Sequence, residues 1–252
     1  MRATWWGHSF VTVEFPEGPV VATDPLLARR LFHLRRRLPE PGARALCADV
    51  IVVSHLHHDH LHLPSLRRFS PQIPLVVPAG AARAVPWLRG RGCLEVAAGD
   101  QIEVAGVTVA ALPARHDPRR LPLPGMGSAP AIGFRLSHRE ASCWYPGDTG
   151  VVDFAAIEAV DLALVPIGGW GPSLGEEHLD PAQAVAAVAA VGARWVLPVH
   201  YGTMWPMLLE RVHPASHRHF FAEPADRFRR AAAEQRLSAE LRVPAVGELV
   251  EL

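Results

Sequence analysis

The segment His55-Leu56-His57-His58-Asp59-His60 packs four side chains of metal-ligand type, His55, His57, Asp59 and His60, into six positions. Imidazole nitrogen and carboxylate oxygen suit Zn²⁺, and with less selectivity Mn²⁺ or Fe²⁺. In an extended chain residues i and i+2 point the same way, so His55 and His57 can serve one ion. Asp59 and His60 follow as the chain turns and can face a second. His58 and His62 fall out of this phase and read as supporting or surface residues. Three further ligand types each sit just past an apolar run: His116 after 107–113, Asp148 after 142–145 and His200 after 195–199. With the first cluster they are enough for two coordination shells.

Two more histidines belong beside such a centre without ligating it. His178 stands just before the helix start at Asp180-Pro181, where its ring can reach a leaving-group oxygen; a plain helix-entry hydrogen bond is the competing role. His8 follows Gly7 on a turn between two strands, and the competing role is a buried ring satisfied by backbone. Asp59, His178 and His8 are therefore the catalytic candidates, with Asp59 also a ligand. Tyr201 and the arginines between Arg29 and Arg37 are weaker candidates for substrate contact. His217-Arg218-His219 follows no strand, lacks an acidic partner and reads as surface.

These residues need rigid elements behind them, and the hydrophobic pattern supplies candidates. Residues 4–7, 10–15 and 20–23 are β-branched or aromatic runs broken by Gly, Pro and Asp, as in a meander. The continuous apolar run 50–54 reads as a strand buried on both faces, feeding directly into His55. Strands are expected at 75–77, 94–97, 101–104, 107–113, 131–136, 142–145, 162–166 and 195–199, with a last edge strand at 246–252. Helices are expected at 64–69, 79–89, 181–191 and 225–237, the third with Asp180 as N-cap and Pro181 at its first position. Residues 26–46, crowded with arginine and closed by Pro39 and Pro41, read as a solvated loop with a helical piece; the alternative is a flap that meets an anionic substrate. No linker separates the halves, so a single domain over 1–252 with a two-layer β core and helices outside is the simplest architecture.

Composition narrows the function. Lys+Arg and Asp+Glu are 25 each, and this neutral balance excludes a protein that coats nucleic acid by bulk charge. All the basic side chains are arginine, so no lysine is present to act as nucleophile or oxyanion partner. Cys47, Cys93 and Cys143 show no Cys-x-x-Cys spacing, which argues against disulfides or a thiolate zinc site. No apolar run reaches 18 residues and the N-terminus lacks a signal-peptide pattern, so a cytoplasmic protein without stable membrane insertion is expected. The composition is high in histidine, with 14 among 252 residues.

The order His55-x-His57-x-Asp59-His60, His116, Asp148, His200 resembles the metallo-β-lactamase superfamily. The resemblance implies an α/β fold, a four-layer αββα sandwich with a dinuclear metal site along one edge. It assigns His55, His57 and His116 to the first metal and Asp59, His60 and His200 to the second, with Asp148 bridging. Trp6-Gly7-His8-Ser9, Asp24-Pro25, Gly147-Asp148-Thr149-Gly150, Pro166-Ile167-Gly168, His178-Leu179-Asp180-Pro181 and His200-Tyr201-Gly202-Thr203 are similar to one branch of it. That branch holds N-acylphosphatidylethanolamine-hydrolysing phospholipase D and, more distantly, L-ascorbate-6-phosphate lactonase. Asp117-Pro118 departs from the branch's usual Trp-Ser after Pro-Ala-x-His, beside the substrate cleft. The absence of Pro-Gly-His-Thr argues against a true β-lactamase or glyoxalase II.

Two divalent ions, zinc for preference, would acidify a bridging water to a hydroxide at neutral pH. Against the two carboxylates and that hydroxide, the centre keeps about one net positive charge. The expected reaction is hydroxide attack on a phosphodiester or ester of an anionic small molecule or lipid headgroup. A lactonase with the same metal site is the alternative, and a metal-dependent ligand-binding protein without turnover is a third reading. Nucleic acid is not an expected partner, and a homo-oligomer is compatible with the sequence.

Overall fold

The computed structural model describes residues 1–121, 125, 127–169 and 174–252. Two seven-stranded sheets carry the chain. The first runs, in spatial order, Leu249–Glu251, Arg2–Gly7, Phe10–Glu14, Val20–Thr23, Val50–Val52, Leu75–Pro78 and Leu94–Val96. The second runs Glu240–Leu241, Trp195–Val199, Leu162–Pro166, Ala141–Tyr145, Ile132–His138, Val107–Pro113 and Gln101–Val104. In each sheet four neighbouring strands are parallel and the remainder antiparallel.

Alternation along the strands sorts side chains into layers. Val50 and Val52 join Leu162 and Leu164 in the core between the sheets. Ile51 and Val53 point the other way, against Leu66, Ala81 and Leu88 of the short helical segments after them. Ala163 and Val165 face Val185 and Val188 of helix Pro181–Val191 and Phe228 of helix Pro224–Glu234. Strands covered on both faces are apolar at nearly every position, which is why 50–53 and 162–166 read as unbroken runs. The layers are thus helix, sheet, sheet, helix, the αββα sandwich of the metallo-β-lactamase fold.

Several expected elements take a different form. The helix foreseen over 79–89 is two short ones, Ala81–Ala84 and Trp87–Arg91. Pro86 lacks the N–H to continue the ladder, and Val85 before it leaves helical geometry at φ −129° and ψ 89°. Residues 26–46 are not a loop with a helical piece alone: they contain a hairpin, Arg30–Leu31 and Leu34–Arg36, followed by a 3-10 turn at Ala43–Leu46. The hairpin pairs with Met204–Pro206 to make a third, small sheet. Helix Pro181–Val191 begins as expected, with reciprocal bonds between Asp180 and Gln183 closing a capping box worth about 1 kcal/mol.

Candidate metal centre

The parallel strands run in one direction, so their C-terminal ends share a rim, the usual place for a site in such sheets. Asp24 follows Val20–Thr23, His55 closely follows Val50–Val52, Asp148 follows Ala141–Tyr145 and His200 follows Trp195–Val199. His116 arrives three residues after Val107–Pro113, which runs the same way. The two sheets meet across the rim where the His200 N–H donates to the His8 carbonyl at 3.0 Å. His8, Asp24 and His200 all hold positive φ, 56°, 35° and 60°. Such conformations cost of order 1–3 kcal/mol each in non-glycine residues and persist only where the surroundings impose them.

All nine sequence-predicted site residues lie together. One atom each from His55, His57 and His116 forms a group within 4.8 Å, and one each from His8, Asp59, His60 and His200 forms another. Asp148 belongs to a third group with His116 and His178. Its Oδ2 is 3.0 Å from His200 Nε2 and 3.4 Å from both His60 Nε2 and His178 Nε2. The carboxylate therefore stands between the clusters.

The rings are held by their outer nitrogens. His200 Nδ1–H donates to the Gly168 carbonyl at 2.9 Å and His116 Nδ1–H to the Glu177 carbonyl at 3.0 Å. His60 Nδ1–H donates to Asp24 Oδ2 at 2.5 Å. Ser54 spends its one hydroxyl proton on Asp24, so His55 Nδ1–H donates to Ser54 Oγ at 3.0 Å. Each bond fixes a tautomer with Nε2 turned into the centre. There, Nε2 of His55, His60 and His200 and Oδ1 of Asp148 are buried without an aligned hydrogen-bond partner. A buried polar atom left so costs about 1–3 kcal/mol, and four converging ones suit a cation.

Asp24 is the residue whose role the sequence reading missed. It accepts from Ser54 N, Ser54 Oγ and His60 Nδ1, and from the Tyr145 hydroxyl. Its motif was visible in Asp24-Pro25, but none of these partners is its neighbour in sequence. His178 is no mere helix-entry residue: Nδ1–H is anchored on the Leu174 carbonyl, Nε2 faces Asp148, and Asp180 caps the helix. Nor is His8 satisfied by backbone, because Nε2 lies 3.0 Å from Asp59 Oδ2.

Charge follows this geometry. Burial works against ionised Asp148, but the His200 and His60 imidazoliums outweigh it and hold the carboxyl well below its ordinary range. Asp59 is lowered in the same way, His60 foremost among its partners. Burial opposes charge on His200 as well, yet Asp148 raises it to about 9. His8 is lowered to about 4 by burial and by His200, so its ring is neutral at pH 7.

Beside the second cluster opens a groove of about 490 Å³ whose lining includes His8, Asp59 and His200. Its apolar wall comes from the hairpin and from the segment after His200, with Leu34, Met204, Trp205, Leu209, Phe220 and Phe221. Tyr201, foreseen as a substrate contact, lines it while stacking on Trp5 at 4.9 Å. His33 and His213 also line it. Arg36 lies under the groove's hairpin as a buried structural cation, donating to the carbonyls of Trp6, Leu26 and Ala28.

Fold and site together define a metal-dependent hydrolase of the metallo-β-lactamase superfamily. Residues 20–201 match the β-lactamase superfamily domain, and the chain belongs to that family. It is similar to N-acyl-phosphatidylethanolamine-hydrolyzing phospholipase D 1 of Caenorhabditis elegans, 28% identical over 257 residues that cover 90% of this chain and 68% of the relative. A UPF0173 metal-dependent hydrolase of Methanosphaerula palustris is 30% identical over 216 residues, covering 82% and 86%. Among solved structures, Igni18, a metallo hydrolase of Ignicoccus hospitalis, superposes with a TM-score of 0.72 at 21% identity, over 99% of this chain and 97% of that one.

Proposed function

We propose that the protein is a dinuclear hydrolase of phosphodiesters or other esters that join an anionic group to an apolar one. The observation that carries the reading is the convergence of His55, His60 and His200 Nε2, none of them in an aligned hydrogen bond, on Asp148. His55, His57 and His116 would hold one cation and Asp59, His60 and His200 the other, with Asp148 shared. Zinc fits this nitrogen-and-carboxylate set, and Mn²⁺ or Fe²⁺ are the alternatives. When bound, the two cations supply Lewis acidity and a hydroxide nucleophile at neutral pH.

The chain's own groups do the remainder. His178, 19% exposed at the side chain and with Nε2 facing Asp148, would take up a proton on Nε2 and pass it to the departing oxygen. Neutral His8 donates to Asp59 and positions that carboxylate. The groove beside Asp59 and His200 supports a substrate with an apolar portion, since its far wall is apolar. Metal analysis, with paired assays on a phosphodiester and a lactone, tests the reading. We expect bound transition metal, preference for the phosphodiester, and loss of turnover in Asp148→Ala. Absence of metal, or unchanged turnover in that variant, would sink it; preference for the lactone would move the assignment to carboxylic esters.

A further inference from the structure

The described residues expose six large hydrophobic side chains, and four of them sit around the groove: Phe32, Met207, Leu208 and Val212, each more than half exposed. Pairing of Leu34 with Pro206 brings the hairpin turn at Phe32 to the same end of the small sheet as Met207. The same two segments supply the groove's inner wall. Their inner faces are therefore apolar toward the metal centre, and their outer tip is apolar toward solvent. Water-exposed apolar groups clustered at one mouth mark a contact surface.

Charge around that tip identifies the partner. Residues 29–40 and 204–222 carry seven arginines against two glutamates, Glu40 and Glu210, in a chain whose net charge is zero. The glutamates are already engaged, Glu40 by Arg29 and Glu210 by Arg37. Arg30, Arg35, Arg211 and Arg218 are exposed and make no ion pair among the described residues. Arg30 and Arg35 are cross-strand partners, so their charges stand side by side.

We propose that this face docks onto an anionic lipid surface, with Phe32, Met207 and Val212 entering the headgroup layer and the arginines meeting lipid phosphates and carboxylates. An apolar tip ringed by cations is the arrangement by which peripheral proteins hold an anionic bilayer. A second copy of the chain is a poor occupant, because a symmetric contact would oppose two arginine-rich faces. No helix among the described residues is long and apolar enough to cross a membrane, so attachment is peripheral. Docked in this way, the groove opens toward the lipid and receives an amphiphile's apolar portion directly from it. The binding claim goes beyond the hydrolase reading and stands without turnover.

Sedimentation of the full chain with vesicles tests it, comparing phosphatidylcholine alone with phosphatidylcholine containing phosphatidylserine. Binding is expected only with the anionic vesicles and should weaken as salt is raised. In Arg30→Gln/Arg211→Gln, affinity should fall about fivefold for each charge removed. Phe32→Ser/Val212→Ser should also release the protein, while both double variants keep the parent's melting temperature, since the changed residues are exposed. The proposal is overturned if the parent ignores anionic vesicles or if neither double variant alters binding. A concentration-dependent dimer that Phe32→Ser/Val212→Ser dissociates, without vesicle binding, also overturns it in favour of self-association. Hydrolysis of a water-soluble chromogenic phosphodiester, measured alongside, separates the readings: vesicle binding without turnover supports docking and counts against the hydrolase.

Discussion

Asp24 accepts four hydrogen bonds while touching no substrate, and the metal centre leans on it. One carboxylate fixes the His60 ring, the Ser54 backbone and, through Ser54 Oγ, the His55 ring, while Tyr145 closes the set from the opposite sheet. Asp24→Asn keeps the shape but removes the charge opposite His60 and forces one acceptor to become a donor. Metal affinity should fall about 10–100-fold in that variant, read by competition with a chromogenic chelator. Tyr145→Phe should do less, because three other bonds still hold Asp24. The ligand types were legible in the sequence because they cluster or sit past apolar runs. Asp24 was not, because its role depends on partners up to 121 residues away. His33 and His213 were opaque for the same reason: the groove they line is made by two distant segments.

Strands covered on both faces advertise themselves, and short exposed ones do not. Leu162–Pro166 and Val107–Pro113 were found to the residue because their sides meet two cores or a core and solvent in strict alternation. The hairpin at Arg30–Leu31 and Leu34–Arg36 has strands of two and three residues and so many arginines that it resembles a solvated loop. Its order comes from tertiary bonds, above all from buried Arg36, whose pKa burial lowers to about 10. Arg36→Met fills much of the same space but leaves the Trp6, Leu26 and Ala28 carbonyls without their donor. Destabilisation of roughly 3 kcal/mol is expected by urea denaturation, given about 1–3 kcal/mol for a buried polar group left unpaired. Groove-dependent binding should weaken as well, since Leu34 is carried on that hairpin.

At the scale of the molecule, the centre is assembled from both sheets, and protons alone hold it unevenly. Burial lowers His8, His62 and His116 to about 4, and also lowers His55 and His57. Below the ordinary histidine value the unfolded chain takes up protons that these buried rings refuse, so stability falls with acid. His200, raised to about 9, and His60, raised by Asp148 and its neighbours against burial, act in the opposite sense. Their contribution is complete below the unfolded value and is lost as pH rises through the folded one. Metal-free protein should therefore melt highest near about pH 6.5, a profile that differential scanning calorimetry in chelator can trace. Metal ligands must shed those protons, so loading should move the maximum to higher pH.

His55 and His200 lie 145 positions apart along the chain, yet their rings both turn Nε2 into one small space between two sheets. Cations held there, one by His55, His57 and His116 and the other by Asp59, His60 and His200, would act as rivets: each would close a long loop of the chain and bolt one half of the sandwich to the other. At a free ion concentration of 1,000 times its Kd, such a rivet adds about 4 kcal/mol. It also ties opening of the sandwich to escape of the ion. Chelation should then accelerate unfolding as well as lower the melting temperature, and the sheets should part first along the rim where they now meet.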